Sequence, residues 1–382
     1  MPASLPILVG AGLVSLFVAW AIGAGSSGST PFAPAVGADS ITIFHAVVLA
    51  GIISFVGAVL QGGAITETVG TGLVDGVSPT PLLGFLSLAT AGTFVAFGVV
   101  TGYPISTAFS VSGAVTGAGV ALGGAVNWEV YRTILLTWTL APFAVGLIAY
   151  LTAEALWHFE EPNSLPVLSA VLGALLPHLR LGFLGDGGAS MAAVAPTPAG
   201  SPVSGGVLLT VGLALALAAL VRYDSTHHPE RSEDRFLIAL GCLVAFSAGG
   251  SQVAFAIGPL LPLLDGSIPL RWVLAGGGLG LVAGTWTGAP RMIRAMGTEY
   301  ADLGTYRSIA ALLPAFVLTQ GAVLFGIPIS FTQAIVSAIS GSGYVAGMAS
   351  VSERKLGWTA VGWVGSFVGA FAVGFAAFTL VG

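Results

Sequence analysis

Charge is what this sequence most conspicuously lacks. Only 7% of its 382 residues are charged, whereas a soluble domain carries about 25%, so an ordinary water-facing surface is excluded. Lysine is nearly absent, with Lys355 alone beside ten arginines. Against 16 acidic residues the formal net charge is −5, and no nucleic-acid partner is expected. Cysteine is equally scarce: the single Cys242 lies in an apolar run. One thiol can neither close an internal disulfide nor build a metal site, so Cys242 reads as a small core residue. The five histidines do not cluster in apolar sequence: His227 and His228 fall in a polar stretch, and His45, His158 and His178 lie near expected helix ends. An intramembrane hydrolase would need a nucleophile paired with such a base. No enzyme, metal centre or cofactor is therefore expected. A positive leader is missing too, because Met1 to Leu5 carry no basic residue, and the first apolar run reads as a retained helix.

What remains is apolar. Hydrophobic residues make up 55% of the chain and the mean hydropathy is +0.96. Apolar runs fall at roughly 5–22, 43–61, 81–101, 105–122, 132–151, 165–183 and 204–222. They resume at roughly 236–248, 270–287, 307–326, 329–350 and 359–381. Backbone groups in lipid must pair within their own segment, which leaves helices as the means of crossing. The expected fold is an all-α polytopic protein of the cell membrane with about 10–12 membrane segments. Its 56 glycines and 21 prolines allow close helix approach and broken helices beside a cavity.

Two runs stop early. The first ends at Gly23 to Pro31 and another at Ala248 to Ser251, each followed by further apolar sequence, which predicts discontinuous or re-entrant helices. The halves also resemble each other. Gly102-Tyr103-Pro104-Ile105-Ser106 corresponds to Gly326-Ile327-Pro328-Ile329-Ser330, and glycines 117, 119 and 123 match 341, 343 and 347, all at an offset of 224. Gly23 pairs with Gly249 at 226, and 64–75 pairs with 291–302 at 227. Interrupted segments in corresponding positions of two halves point to a transport site at the repeat interface. A helix that begins inside the membrane exposes unpaired N–H groups and the positive end of its dipole, which suits an anion.

The candidate site residues are Gly25, Ser26, Ser27, Ser29 and Thr30, with Ser251 and Gln252 opposite them in the second half. Ser106, Thr107, Ser330 and Thr332 follow the two prolines. Helix capping alone explains any one of these last four, and a packed loop of small residues explains the first cluster; their repetition favours one shared anion site.

These motifs resemble those of the inorganic phosphate transporter family, over most of the chain. Ala21-Ile22-Gly23-Ala24 and Ala245-Phe246-Ser247-Ala248-Gly249 open stretches similar to the family's paired signatures, the second closing with Val253 to Pro259. Gly62-Gly63-Ala64-Ile65-Thr66-Glu67-Thr68, Pro104-Ile105-Ser106-Thr107, Pro328-Ile329-Ser330 and the Gly284 to Arg294 stretch resemble further family elements. The resemblance implies two inverted repeats and cation-coupled transport of phosphate. There are departures. The family's signature Asn-Asp is replaced by Gly25-Ser26 and by Ser251-Gln252, its histidines by Phe109 and Gln333, and two further acids by Ser54 and Leu312. Those acids are associated in the family with the coupling cation, and Ser or Gln would bind a hard cation weakly.

Phosphate is the expected substrate, and a sulfate permease of the same superfamily is the alternative, since a site of donors without carboxylates suits a dianion. An anion channel is a third reading, because broken helices also line pores. The coupling ion is expected to be a proton, carried by Glu67, with sodium as the other option. A charge at the bilayer centre costs ~2.5–3.5 kcal/mol, so Glu67 is either functional or interfacial. Arg294 aligns with Glu67, and Arg291 lies one turn away; both can grip an oxyanion or simply mark a cytoplasmic helix end. The polar interval Tyr223 to Arg235 reads as a solvated linker. The expected domains are residues 1–150 for the first repeat, 151–235 for peripheral helices and the linker, and 236–382 for the second repeat. The lipid bilayer is the expected surround, and a homodimer is one of the assemblies left open.

Overall fold

The computed structural model describes residues 5–63, 65–66, 69, 72–77, 80–158, 164–184, 188–264 and 268–381. The described chain is helical almost throughout. Helix α1 (Leu5–Ile22) widens into a π-helical turn at Gly23–Ser27, turns through 28–32 and is followed by the short α2 (Ala33–Gly37). Next come α3 (Ile43–Gln61), α4 (Pro81–Thr101), α5 (Thr107–Ala121), α6 (Trp128–His158) and α7 (Ser164–Leu175). The second half contributes α8 (Gly205–His227), α9 (Pro229–Ile257), α10 (Leu270–Thr298), α11 (Thr305–Phe325), α12 (Phe331–Gly343) and α13 (Glu353–Val381). Among the described residues sheet is limited to two-residue ribbons, Val74–Asp75 against Ala125–Val126 and Arg180–Leu181 against Ala189–Ser190.

Local chemistry explains the helix ends. Thr42 and Thr80 cap α3 and α4, and prolines occupy the first turns of α2, α4 and α9, where the missing N–H costs nothing. Helices α4 and α11 both end on a left-handed glycine, Gly102 at φ 77° and Gly326 at φ 64°, the residue that closes a helix without a Cβ clash.

Eight helices among the described residues are long and apolar enough to cross a membrane, which makes this a multi-pass membrane protein. Exposed side chains such as Phe143 on α6 and Leu380 on α13 suit a lipid-facing surface. Helices α5 and α12 differ. Their 15 and 13 residues span only about 20 Å of a hydrocarbon core near 30 Å. They are partial helices, and each begins at the end of a Pro-Ile-Ser.

Packing repeats between the halves. Helix α1 lies on α4 as α9 lies on α11, and α5 and α12 pack on α4 and α11. The closing helices are exchanged: α6 packs on α11 and α12, and α13 on α4 and α5. Trp138 of α6 donates its indole N–H to the Pro328 carbonyl at 2.9 Å, and Trp363 of α13 donates to the Pro104 carbonyl at 2.9 Å. Where α3 crosses α9, a Cβ at Gly249 would overlap the Ser54 carbonyl; where α10 crosses α1, one at Gly23 would overlap the Leu281 carbonyl.

Two sequence expectations need correction. No break occurs at Ala248 to Ser251, because α9 runs unbroken to Ile257 and a 3-10 turn follows at Gly258–Leu263. Its glycines let α3 approach closely instead of ending the helix. The polar stretch Tyr223 to Arg235 is no linker coil: α8 continues to His227 and α9 starts at Pro229. Asp224 and Arg235 pair across the junction at 2.6 Å, giving these charges partners within a helical corner. Helix α6 runs on through residue 150 and ends at His158.

Candidate functional site

Three of the candidate segments meet in the interior. Ser26, in the π-turn after α1, points its hydroxyl at the Gln252 side-chain oxygen of α9, 3.4 Å away. Thr332, in the first turn of α12, donates to the Ser26 hydroxyl at 3.1 Å. Gln252 reaches the Ser251 hydroxyl at 3.5 Å, and Ser251 donates to the Ala248 carbonyl at 3.3 Å. All four residues are buried. Ser26 and Gln252 stand where the resemblance places the two signature aspartates, so those positions face each other at the junction of the halves.

The starts of α5 and α12 add donors. Ser106 and Ser330 cap these helices, accepting from the N–H groups of Phe109 and Gln333 at 3.2 Å in both cases. A hydroxyl that accepts such a bond still holds its own proton. Thr107 and Ser27 have buried hydroxyls with no partner, an arrangement that costs ~1–3 kcal/mol per group unless something else fills it. Helix α5 touches α9, and α12 touches the π-turn. Two helix N-termini and their hydroxyls are thus buried inside the protein, an arrangement that suits an anion.

The remaining candidates are placed differently. Ser29 and Thr30 donate to the Ser26 carbonyl at 3.3 and 2.9 Å, so their hydroxyls stabilise the turn. Gly25 is buried against Val99 of α4. Ser54, at a family acid position, donates to the carbonyls of Ser27 and Ala245 and pins the turn to α9. Glu67 lies outside the described residues. The polar side chains meeting at this junction are Ser, Thr and Gln, so the junction itself is neutral.

Sequence reasoning noted Phe109 and Gln333 only as replacements of family histidines and missed Trp138, Gln61 and Gln320. Gln333 donates to the Trp138 carbonyl at 3.0 Å, and Phe109 stacks on Trp138 with centroids 3.9 Å apart. Gln61 and Gln320 exchange amide hydrogen bonds at 3.2 Å, and Gln320 also reaches Ser247. Nearly equal spacing, 34 residues from Pro104 to Trp138 and 35 from Pro328 to Trp363, was the available signal.

Residues 22–374 match the phosphate transporter family. The chain belongs to that family. A Pyrococcus furiosus protein whose name proposes a phosphate permease is 30% identical over 375 residues, covering 91% of this chain and 90% of its own. The inorganic phosphate transporter 2-1 of Arabidopsis thaliana chloroplasts is 28% identical, over 92% of this chain and 68% of its own. A solved structure described as the sodium-dependent phosphate transporter superposes with a TM-score of 0.84 at 24% identity, covering 99% of both chains. That likeness supports the fold. The family is one of phosphate transporters and not of enzymes. The sulfate alternative gains no support from these relatives.

Proposed function

We propose that this protein carries inorganic phosphate and binds it where the halves meet, between the starts of α5 and α12. The carrying observation is the neutral junction, where Ser26, Gln252 and Thr332 meet within hydrogen-bonding distance. A phosphate there would take hydrogen bonds from Ser27, Ser106, Thr107 and Ser330 and from the helix N-termini. With hydroxyl and amide in place of carboxylates, sodium has poor ligands at this point. Coupling therefore falls to protons, with Glu67 as the group to test.

Helix directions support an inverted arrangement of the repeats. Helix α4 ends beside the last turn of α10, in a cavity shared by Thr101 and Glu299. Helix α11, the counterpart of α4, begins directly after α10 and so starts at the same end. Equivalent helices running in opposite directions are what an inverted repeat requires. Eight of the eleven basic residues belong to this end, at 222, 231, 235, 291, 294, 307, 354 and 355, which makes it the cytoplasmic one.

The test is uptake of radiolabelled phosphate into proteoliposomes at fixed pH, with sodium exchanged for choline. Uptake should persist in choline and rise with an inward proton gradient. Strict sodium dependence would show that backbone carbonyls rebuild a cation site without the aspartates.

A further inference from the structure

Arg291 and Arg294 take no part in the central site. They lie on one face of the last turns of α10, both exposed, and line a cavity of about 560 Å³ at the basic end of the molecule. The other walls include Thr101 and Gly102 at the end of α4, Ile43 in the first turn of α3, and Lys355 of α13. Lys355 is ion-paired with Glu299 and lies over the rings of Tyr103 and Tyr300, 5.5 and 5.3 Å from their centroids. The one carboxylate of the basin is thereby engaged. Among the described residues neither guanidinium has an ion-pair partner, so the basin keeps two uncompensated positive charges.

We propose that this basin is a second oxyanion site, which takes a phosphate group at the basic mouth of the carrier. Guanidinium forks match the oxygens of a phosphate in pairs. The first turn of α3 adds the positive end of a helix dipole, while the ends of α4 and α10 add the opposite sign, so the arginines supply the net attraction. The wall at Gly102 leads directly through Tyr103 and Pro104 to the cap at Ser106. Such a basin raises the local concentration of anion at the mouth. The inference rests on the phosphate-carrier reading for its ligand, but not on the position of the central site. Two sources offer the same chemistry: free phosphate and the headgroup of an anionic lipid.

Calorimetric titration of inorganic phosphate into the whole protein, held in discs of zwitterionic lipid, separates these cases. The parent should bind two phosphates. The doubly substituted Arg291→Gln, Arg294→Gln protein should bind one, with affinity at the lost site reduced about 10-fold or more. Arg291→Lys with Arg294→Lys keeps the charge but loses the fork, and should bind at intermediate strength. Ser106→Gly with Ser330→Gly should weaken the other phosphate about 10-fold or more and leave this one. In discs containing phosphatidylglycerol, a headgroup occupant would reduce the parent to one phosphate, and native mass spectrometry would find lipid retained by the parent and lost from the Gln variant. If the Gln variant binds phosphate and lipid as the parent does, the arginines only offset helix ends and the proposal falls. That result would leave the central site untouched, whereas two phosphates bound at parental strength by the Ser106→Gly, Ser330→Gly protein would count against the central site alone.

Discussion

Replacing Ser106 by glycine removes a hydroxyl while leaving a helix cap of nearly equal quality. The Ser106 oxygen accepts from the Phe109 N–H at 3.2 Å, as Ser330 does from Gln333, so an alanine at either position loses both a cap and a donor. Loss of a serine cap to alanine costs about 1 kcal/mol, whereas loss to glycine costs only a few tenths. A hydrogen bond to a charged group contributes ~1.5–3 kcal/mol, equivalent to roughly 10-fold to 100-fold in affinity. Ser106→Ala should therefore lower both stability and phosphate affinity. Ser106→Gly should unfold close to the parent yet show the same loss of affinity, and Ser330 should behave alike. Thermal unfolding in detergent and the KM for phosphate uptake into proteoliposomes measure the two effects separately. Ser225, in α8 and away from this site, is the control, and Ala there should leave KM unchanged. Glycine variants that transport with the parental KM would show that both hydroxyls serve only as caps, and the donor set drawn here would be wrong.

Three further outcomes follow from the same geometry. Ser26→Asp combined with Gln252→Asp restores carboxylates at the facing positions, and phosphate uptake should then become sodium-dependent; uptake indifferent to sodium would contradict the assignment of these positions. Trp138→Phe and Trp363→Phe each leave a proline carbonyl unpaired, which should cost ~1–3 kcal/mol in denaturant unfolding, and to a similar extent; a loss at one alone would contradict the exchanged pairing of α6 and α13. In a Cys242→Ala background, cysteine at exposed Trp128 should react with an impermeant maleimide applied to intact cells, and cysteine at exposed Glu230 should not; the reverse pattern would invert the orientation.

Much of this arrangement is written in short-range sequence. Gly102 and Gly326 end helices, the prolines after them forbid immediate re-entry, and Ser106 and Ser330 cap the next helix, so each step obeys a local rule. The glycines at 249 and 250 obey no such rule. Gly249 and Gly250 could end a helix or admit a neighbour, and only the approach of α3, with its Ser54 carbonyl against Gly249, selects the second. Likewise the charges at 224–235 read as solvated coil, while Pro229 in a first turn and the Asp224–Arg235 pair hold two helices at a corner. The meeting of Ser26 with Thr332 spans 306 residues of chain. It depends on tertiary packing, and the sequence offered only the repeat as a hint that these segments share one place.

The central claim is that phosphate binds between the starts of α5 and α12, at the neutral junction of the halves. Electron cryo-microscopy of the protein saturated with phosphate in sodium-free buffer tests it most directly. The account predicts density for one tetrahedral anion within hydrogen-bonding reach of Ser106, Thr107 and Ser330, beside Ser26, Gln252 and Thr332. A map with that junction empty, and phosphate found only in the basin of Arg291 and Arg294, would contradict it.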